Sequence, residues 1–163
     1  MKKYLIDTFR YNDYANKLAL GKMRELPEKD ECVKWFSHLI NSMNKWLARI
    51  HLTPGYAEMD WFKPVYELNE LEPKWDECLA AWIDFLEAKN DEDLDEEVEW
   101  NNPDLRPPDD RPVKPNFAAK IVDIALQLNY HSIHHRAQIQ YLIRQQGVEP
   151  EFVDYIGTKY RRI

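Results

Sequence analysis

The chain has 163 residues, 44% hydrophobic and 31% charged, which predicts one soluble globular domain spanning residues 1–163. It carries 22 basic and 29 acidic residues, for a net charge of −7. Nucleic-acid binding is therefore disfavoured, because phosphate recognition needs a basic surface.

No apolar run approaches the ~18 residues that a membrane span needs. Asp7 interrupts the N-terminal apolar segment before a signal peptide can form. We therefore expect a cytoplasmic protein with no membrane partner. Cys32 and Cys78 form no Cys-x-x-Cys pair and are expected to be reduced, buried thiols.

Four stretches have the apolar periodicity of amphipathic helices. The first covers about 3–26 and stops at Pro27. The second covers about 28–52 and ends before a Thr-Pro-Gly turn. The third begins near Asn69, with an apolar stripe that runs to Leu86, and the fourth covers about 117–146 and stops at Gly147. This pattern predicts an all-α fold, a four-helix bundle.

The connection between the third and fourth helices is long, acidic at first and then rich in proline. We favour a solvated crossover loop over 91–116, because a helix cannot continue through Pro107 and Pro108. The alternative is a hairpin within this crossover, formed by short strands at 97–101 and 111–114. The carboxylates of this stretch are interpreted as a solvated acidic face.

Three histidines cluster in the fourth helix. On a helical wheel that starts at Phe117, His135 falls at about 0° and His131 at about 320°, both within the apolar stripe, whereas His134 falls at about 260°, outside it. Imidazoles one turn apart have the spacing of two ligands to one metal ion. We favour a metal site over hydrogen-bonded core histidines, which remain the alternative.

A catalytic metal site needs a third protein ligand, and His38 is the best candidate. It lies at the edge of the apolar arc of the second helix, whereas His51 at the end of that helix is expected to face solvent. An all-nitrogen set suits zinc, nickel, iron or cobalt better than magnesium or calcium. The sequence has no His-Glu-x-x-His or Glu-x-x-His motif, which argues against a zincin or a di-iron centre.

Three segments together resemble the DinB family, also called the DinB/YfiT-like metalloenzymes. Residues 11–16 are similar to its Tyr-Asn-x-Trp-Ala-Asn signature, with Tyr14 in place of tryptophan. Residues 35–50 resemble its His-Leu…Trp-x-x-Arg segment, and residues 131–139 resemble its His-x-x-His-His-Arg-x-Gln box.

The resemblance implies an up-down-down-up four-helix bundle, often dimeric, so a homodimer is expected. It implies one divalent metal, namely zinc, nickel, iron, cobalt or manganese, bound by His38, His131 and His135. Its relatives include transferases and isomerases that use low-molecular-weight thiols. The family name records induction by DNA damage, which suggests a stress-related role.

Two classes of function follow from these observations. The first is a metal-dependent enzyme with an open water position, acting on an unidentified small molecule as a thiol-dependent transferase or isomerase, or as a hydrolase. In that case His134, Arg136 and Gln138 are candidates to support the metal or to contact the substrate. The second is a non-catalytic, stress-related bundle protein whose metal is structural.

Overall fold

Four long helices form the body of the protein in the computed structural model, which describes residues 1–101 and 117–161. They are α1 (Lys2–Met23), α2 (Asp30–Ile50), α3 (Leu68–Glu87) and α4 (Ile121–Gln145). Helices α1 and α2 each pack against both α3 and α4. The prediction of an all-α, four-helix protein is confirmed, and each predicted helix is present with ends shifted by a few residues.

The core lies between the four helices and is built from their apolar stripes. The predicted stripe of α3, which includes Trp75, Trp82 and Leu86, is buried. The ring of Trp82 stacks on Phe9 of α1, with centroids 5.6 Å apart, and its indole nitrogen donates to the Met43 carbonyl of α2. Cys32 and Cys78 are free and buried, as expected.

A short antiparallel hairpin joins the end of α3 to the start of α4. Strand β1 (Glu97–Trp100) pairs with β2 (Phe117–Lys120), with Glu97 opposite Lys120 and Trp100 opposite Phe117. A 3₁₀ turn at Glu92–Asp95 precedes it, and another follows α4 at Ile156–Thr158.

The hairpin corrects two predictions. Its first strand falls within the segment for which we favoured a solvated loop and agrees with the alternative strand at 97–101. Its second strand was assigned to the fourth helix. Pairing with β1 keeps Phe117–Lys120 extended, so that α4 begins only at Ile121, whose amide donates to the Glu96 carbonyl over 3.0 Å. The predicted partner strand at 111–114 lies outside the described residues.

The predicted end of the fourth helix agrees with the backbone. Gly147 follows α4 with φ of +76°, and its amide donates to the Arg144 carbonyl, as expected of a C′ glycine. Within residues 1–101 and 117–161, no helix combines the length and the apolar character that crossing a bilayer would require.

Candidate metal centre

Helices α2 and α4 bring three histidines together in the interior of the bundle. His38 lies in the middle of α2, and His131 and His135 lie one turn apart on α4. His38 and His135 are buried, and His131 is half-buried. The apolar neighbours Leu39 and Ile139 are part of the core, so packing of the two stripes turns the histidines toward one another.

The three imidazoles converge through the same ring atom. The Nε2 atom of His131 lies 3.0 Å from Nε2 of His38 and 3.0 Å from Nε2 of His135. Candidate ligand atoms of all three side chains lie within 4.8 Å of one another. Two nitrogens bound to one zinc ion at about 2.0–2.1 Å are at most about 4.2 Å apart, so both Nε2 separations from His131 fit a shared ion.

Two of the rings are oriented through their other nitrogen. Nδ1 of His38 donates to the Trp61 carbonyl over 2.7 Å, and Nδ1 of His135 donates to Oε1 of Gln138 over 2.6 Å. Because these oxygens only accept hydrogen bonds, the proton of each neutral ring sits on Nδ1 and Nε2 presents its lone pair. Metal-binding histidines are usually held in this way.

The protonation of the site favours a cation at its centre. Burial lowers the pKa of His38 and His135, and burial together with the neighbouring imidazoles lowers the pKa of His131 to about 4. The three rings are therefore neutral at neutral pH. A proton on Nε2 of His131 can satisfy only one of its two close contacts, whereas one cation accepts lone pairs from all three nitrogens. The residues present thus fit a divalent transition metal.

Aromatic rings hold two of the imidazoles in place. Trp35 stacks on His135 with centroids 4.8 Å apart, and Phe62 stacks on His38 with centroids 4.3 Å apart. Trp35 is half-buried and Phe62 is exposed, so these two rings cover the site toward solvent. The segment between α2 and α3 thus contributes both Phe62 and the carbonyl of Trp61.

A cavity of about 220 Å³ adjoins the site, and His38 and His131 form part of its wall. The rest of its lining comes from Ser42, Trp46, Trp61, Gln127 and Leu128. In the described part of the chain, no carboxylate or thiol joins the three histidines in a ligand group. The protein therefore supplies three donors next to a space that a small molecule can enter, the arrangement of an open site.

The structure gives the other sequence candidates different positions. Gln138 contacts His135 directly. His134 is exposed, its ring centroid is 4.9 Å from that of His135, and its ring is not among the three that converge. His51 is exposed, as expected.

Arg136 belongs to a buried polar network between α1 and α4. Its guanidinium donates to the side-chain oxygens of Asn12 and Asn16, each over 2.9 Å. Asn12 in turn donates to Asn129, and Asn16 donates to Ser132. Burial lowers the pKa of Arg136, and its guanidinium carbon lies 5.7 Å from the ring of Tyr11. Arg136 therefore fastens two helices together and does not contact the histidines.

Sequence reasoning gave no role to Asn12 and Asn16, although both stand in the segment that carries part of the family resemblance. Two asparagines four residues apart in an amphipathic helix lie on one face. Because both are buried, each needs a polar partner. Their spacing, together with a buried arginine on another helix, was the available signal.

The contact between Gln138 and His135 leads to a first prediction. Replacing Gln138 by leucine keeps the volume but removes the acceptor for Nδ1 of His135, and we expect about a 10- to 100-fold loss of zinc affinity. Competition with a fluorescent chelator measures this affinity. Gln140→Leu is the matched control, because Gln140 donates to the Glu151 carbonyl and not to a histidine. Equal affinities for the two variants would contradict the positioning role of Gln138.

The family comparison agrees with this site. The model of the DinB family matches residues 34–162, which is most of the chain and includes all three histidines, so the chain belongs to the DinB family. The segment 11–16 lies outside the matched range. No curated protein and no solved structure matches the chain.

Proposed function

We propose that this member of the DinB family is an enzyme that uses one divalent transition metal, namely zinc, nickel, iron, cobalt or manganese. His38, His131 and His135 would hold the ion through Nε2. The observation that carries the proposal is the convergence of these three nitrogens beside a cavity. Among the described residues, no fourth protein ligand joins them.

The reaction class that we favour is transfer or isomerisation dependent on a low-molecular-weight thiol, with hydrolysis as the second choice. A divalent ion in the site lowers the pKa of a thiol or a water molecule that reaches it, which makes the deprotonated nucleophile available at neutral pH. The chain contributes orientation, since Trp61 and Gln138 fix the rings of His38 and His135. Trp46, Trp61 and Leu128 give the cavity beside the site a partly apolar wall.

The alternative function is a stress-related bundle protein with a structural metal. Its support is that the three histidines join α2 to α4, so that an ion bound there would stabilise the packing of these helices. A structural zinc site usually has four protein ligands, whereas the described residues supply three, and for this reason we prefer the enzyme.

A thiol-transfer assay tests the proposal. The zinc-loaded protein is incubated with 2-mercaptoethanol and 1-chloro-2,4-dinitrobenzene, so that a carbon–sulfur bond forms, chloride leaves and the thiol proton passes to the buffer. We expect turnover that falls at least about 100-fold in His135→Ala and persists in His134→Ala, because removing a metal ligand cripples binding. Hydrolysis of a p-nitrophenyl ester is followed in parallel.

Three outcomes decide between the functions. Turnover of the thiol or the ester that is unchanged in His135→Ala would refute a role of the metal site in catalysis. Zinc binding without turnover of either substrate, combined with a lower melting temperature after chelation, would favour the structural metal. Ester hydrolysis without thiol transfer would select the second reaction class.

A further inference from the structure

Beyond His38, helix α2 presents a line of buried polar side chains that the metal site does not use. Ser42, Lys45 and Arg49 follow His38 at intervals of four, three and four residues, which places them on one face of the helix. Their exposed fractions are only 2%, 6% and 6%. Such burial is unusual for lysine and arginine unless they are paired.

The two cations lie against the aromatic wall of the cavity. The Lys45 ammonium is 4.6 Å from the ring centroid of Trp61 and donates to the carbonyl of Met59. The Arg49 guanidinium is 4.4 Å from the ring centroid of Trp46 and 5.7 Å from that of Trp61. Trp46 and Trp61 both line the cavity beside His38 and His131. The positive charges therefore lie against indole rings that form part of the cavity wall.

Neither cation is neutralised by a carboxylate within 4 Å in the part of the chain that the structure describes. Asp60 and Glu58 act on the charge of Lys45 from a distance, but both are exposed, so water screens them. Burial lowers the pKa of Lys45, with the charge of Arg49 acting in the same direction, and burial lowers the pKa of Arg49. Uncompensated buried charge is costly, and an anion in the cavity would offset that cost.

Arg136 shows that buried arginine in this protein is not in general left without hydrogen-bond partners. The guanidinium of Arg136 is hydrogen-bonded by Asn12 and Asn16, which accounts for its burial. In contrast, Nε of Arg49 is buried and has no hydrogen-bond partner among residues 1–101 and 117–161. Stacking on tryptophan explains the position of Arg49 in part, but it leaves the polar atom unsatisfied.

Ser42 adds a second unsatisfied group at the cavity. It lies one turn from His38 and lines the cavity, and its Oγ is buried without a hydrogen-bond partner in the described residues. An unpaired buried hydroxyl destabilises the protein, and a hydrogen bond to a ligand oxygen or a water molecule would remove that cost.

We propose that this cavity binds a small organic anion with a flat apolar body, placed against Trp46 and Trp61, next to the hydroxyl of Ser42 and within the positive field of Lys45 and Arg49. The inference rests on the proposed function, in that it names the substrate class for the same metal site. The volume of about 220 Å³ is below the ~300–1,000 Å³ of sites for drug-sized ligands, so the ligand is of the size of a single substituted ring.

Three ligands of nearly equal shape and different charge test the proposal. Benzoate, benzamide and benzamidine are titrated by calorimetry into the zinc-loaded protein, and zinc content is measured by elemental analysis in each sample. We expect benzoate to bind at least about tenfold more tightly than benzamide, and benzamidine to show no binding. Because a zinc ion alone also prefers an anion, variants of Lys45 must isolate the contribution of the chain.

Lys45→Met keeps the apolar stem over Trp61 and removes the charge. It is expected to weaken benzoate binding about tenfold while leaving benzamide binding and zinc content unchanged. Lys45→Arg keeps the charge and is expected to retain the preference. Lys34→Met is the matched control on the same helix, because Lys34 is exposed and close to Trp35 instead. Ser42→Ala should weaken the binding of both benzoate and benzamide, since the hydroxyl can donate to the carboxylate oxygen of the one and to the carbonyl oxygen of the other.

The outcomes separate the two proposals. Bound zinc with equal affinities for benzoate and benzamide, or a Lys45→Met variant that keeps the full preference, would overturn the anion cavity and leave the metal site intact. Loss of binding in both Lys45→Met and Lys45→Arg would also overturn it, since charge would not be the cause. A protein that takes up no zinc on loading, yet still prefers benzoate through Lys45, would overturn the metal site alone.

Discussion

Replacing His131 by alanine is expected to reduce bound zinc from about one ion per chain to less than about 0.1. His131 is central because its Nε2 lies 3.0 Å from that of each other histidine, so its removal leaves two donors on different helices. Elemental analysis of the purified, untagged variant after zinc loading and desalting measures the effect. The same loss is expected for His38→Ala.

His134→Ala is the matched control for this prediction. His134 has the same side chain and lies on the same helix, but it is exposed and outside the convergent set. This variant should keep its zinc. Retention of zinc by His131→Ala, or equal losses in both variants, would mean that the ion is bound elsewhere.

Arg136→Met is expected to lower the free energy of unfolding by about 2–4 kcal/mol. Methionine is of similar length but leaves the oxygens of Asn12 and Asn16 without their donor in the interior. Each unsatisfied buried acceptor costs about 1–3 kcal/mol, partly offset because the charge no longer has to be buried. Chemical denaturation of the metal-free protein, monitored by tryptophan fluorescence, measures the change.

Arg144→Met provides the comparison, because Arg144 lies on the same helix but is exposed and pairs with Glu149 only at the surface, over 3.6 Å. Its effect should stay within about 0.5 kcal/mol. Unchanged stability of Arg136→Met would show that the network between α1 and α4 contributes little. A variant too unstable to purify would exceed the expected loss in the same direction. Asn16→Ala, which keeps Arg136 and Asn12 but removes the hydrogen bonds of Asn16 to Arg136 and Ser132, would then give the measurable effect.

The sequence was sufficient to predict which histidines meet, because helical periodicity is regular over a helix as long as α4. The wheel separated His131 and His135 from His134 on burial alone, and it placed His38 at the edge of the apolar arc of α2. The same periodicity predicted four helices. The convergence of residues so distant in sequence required only that two apolar stripes pack against each other.

The ring partners of the histidines had weaker signals. The acceptor for His38 is a backbone carbonyl in the connection between α2 and α3, and a carbonyl is present at every residue. The identity of Trp61 therefore could not reveal it. Gln138 was a candidate, but it lies four residues from His134 and three from His135, and both spacings allow a contact on a helix. Its oxygen accepts from His135.

The second strand of the hairpin was assigned to the fourth helix because a long-range pairing overrode a local pattern. Phe117–Lys120 continues the periodicity of the helix that follows, so nothing local separates the two. Its strand conformation depends on pairing with β1. The sequence alone does not show that these two separated segments pair. The buried cations of α2 were missed for a related reason. A sequence pattern counts Lys45 and Arg49 as polar, and only the fold shows that tryptophan rings cover them.

The central claim is that three imidazoles, through Nε2, bind one ion. X-ray absorption at the zinc edge of the loaded wild-type protein tests it most directly, since it reports the number and type of ligands. We expect three imidazole nitrogens at about 2.0–2.1 Å and one further, non-protein oxygen or nitrogen donor. A shell that contains sulfur from cysteine, or fewer than three imidazoles, would contradict this claim.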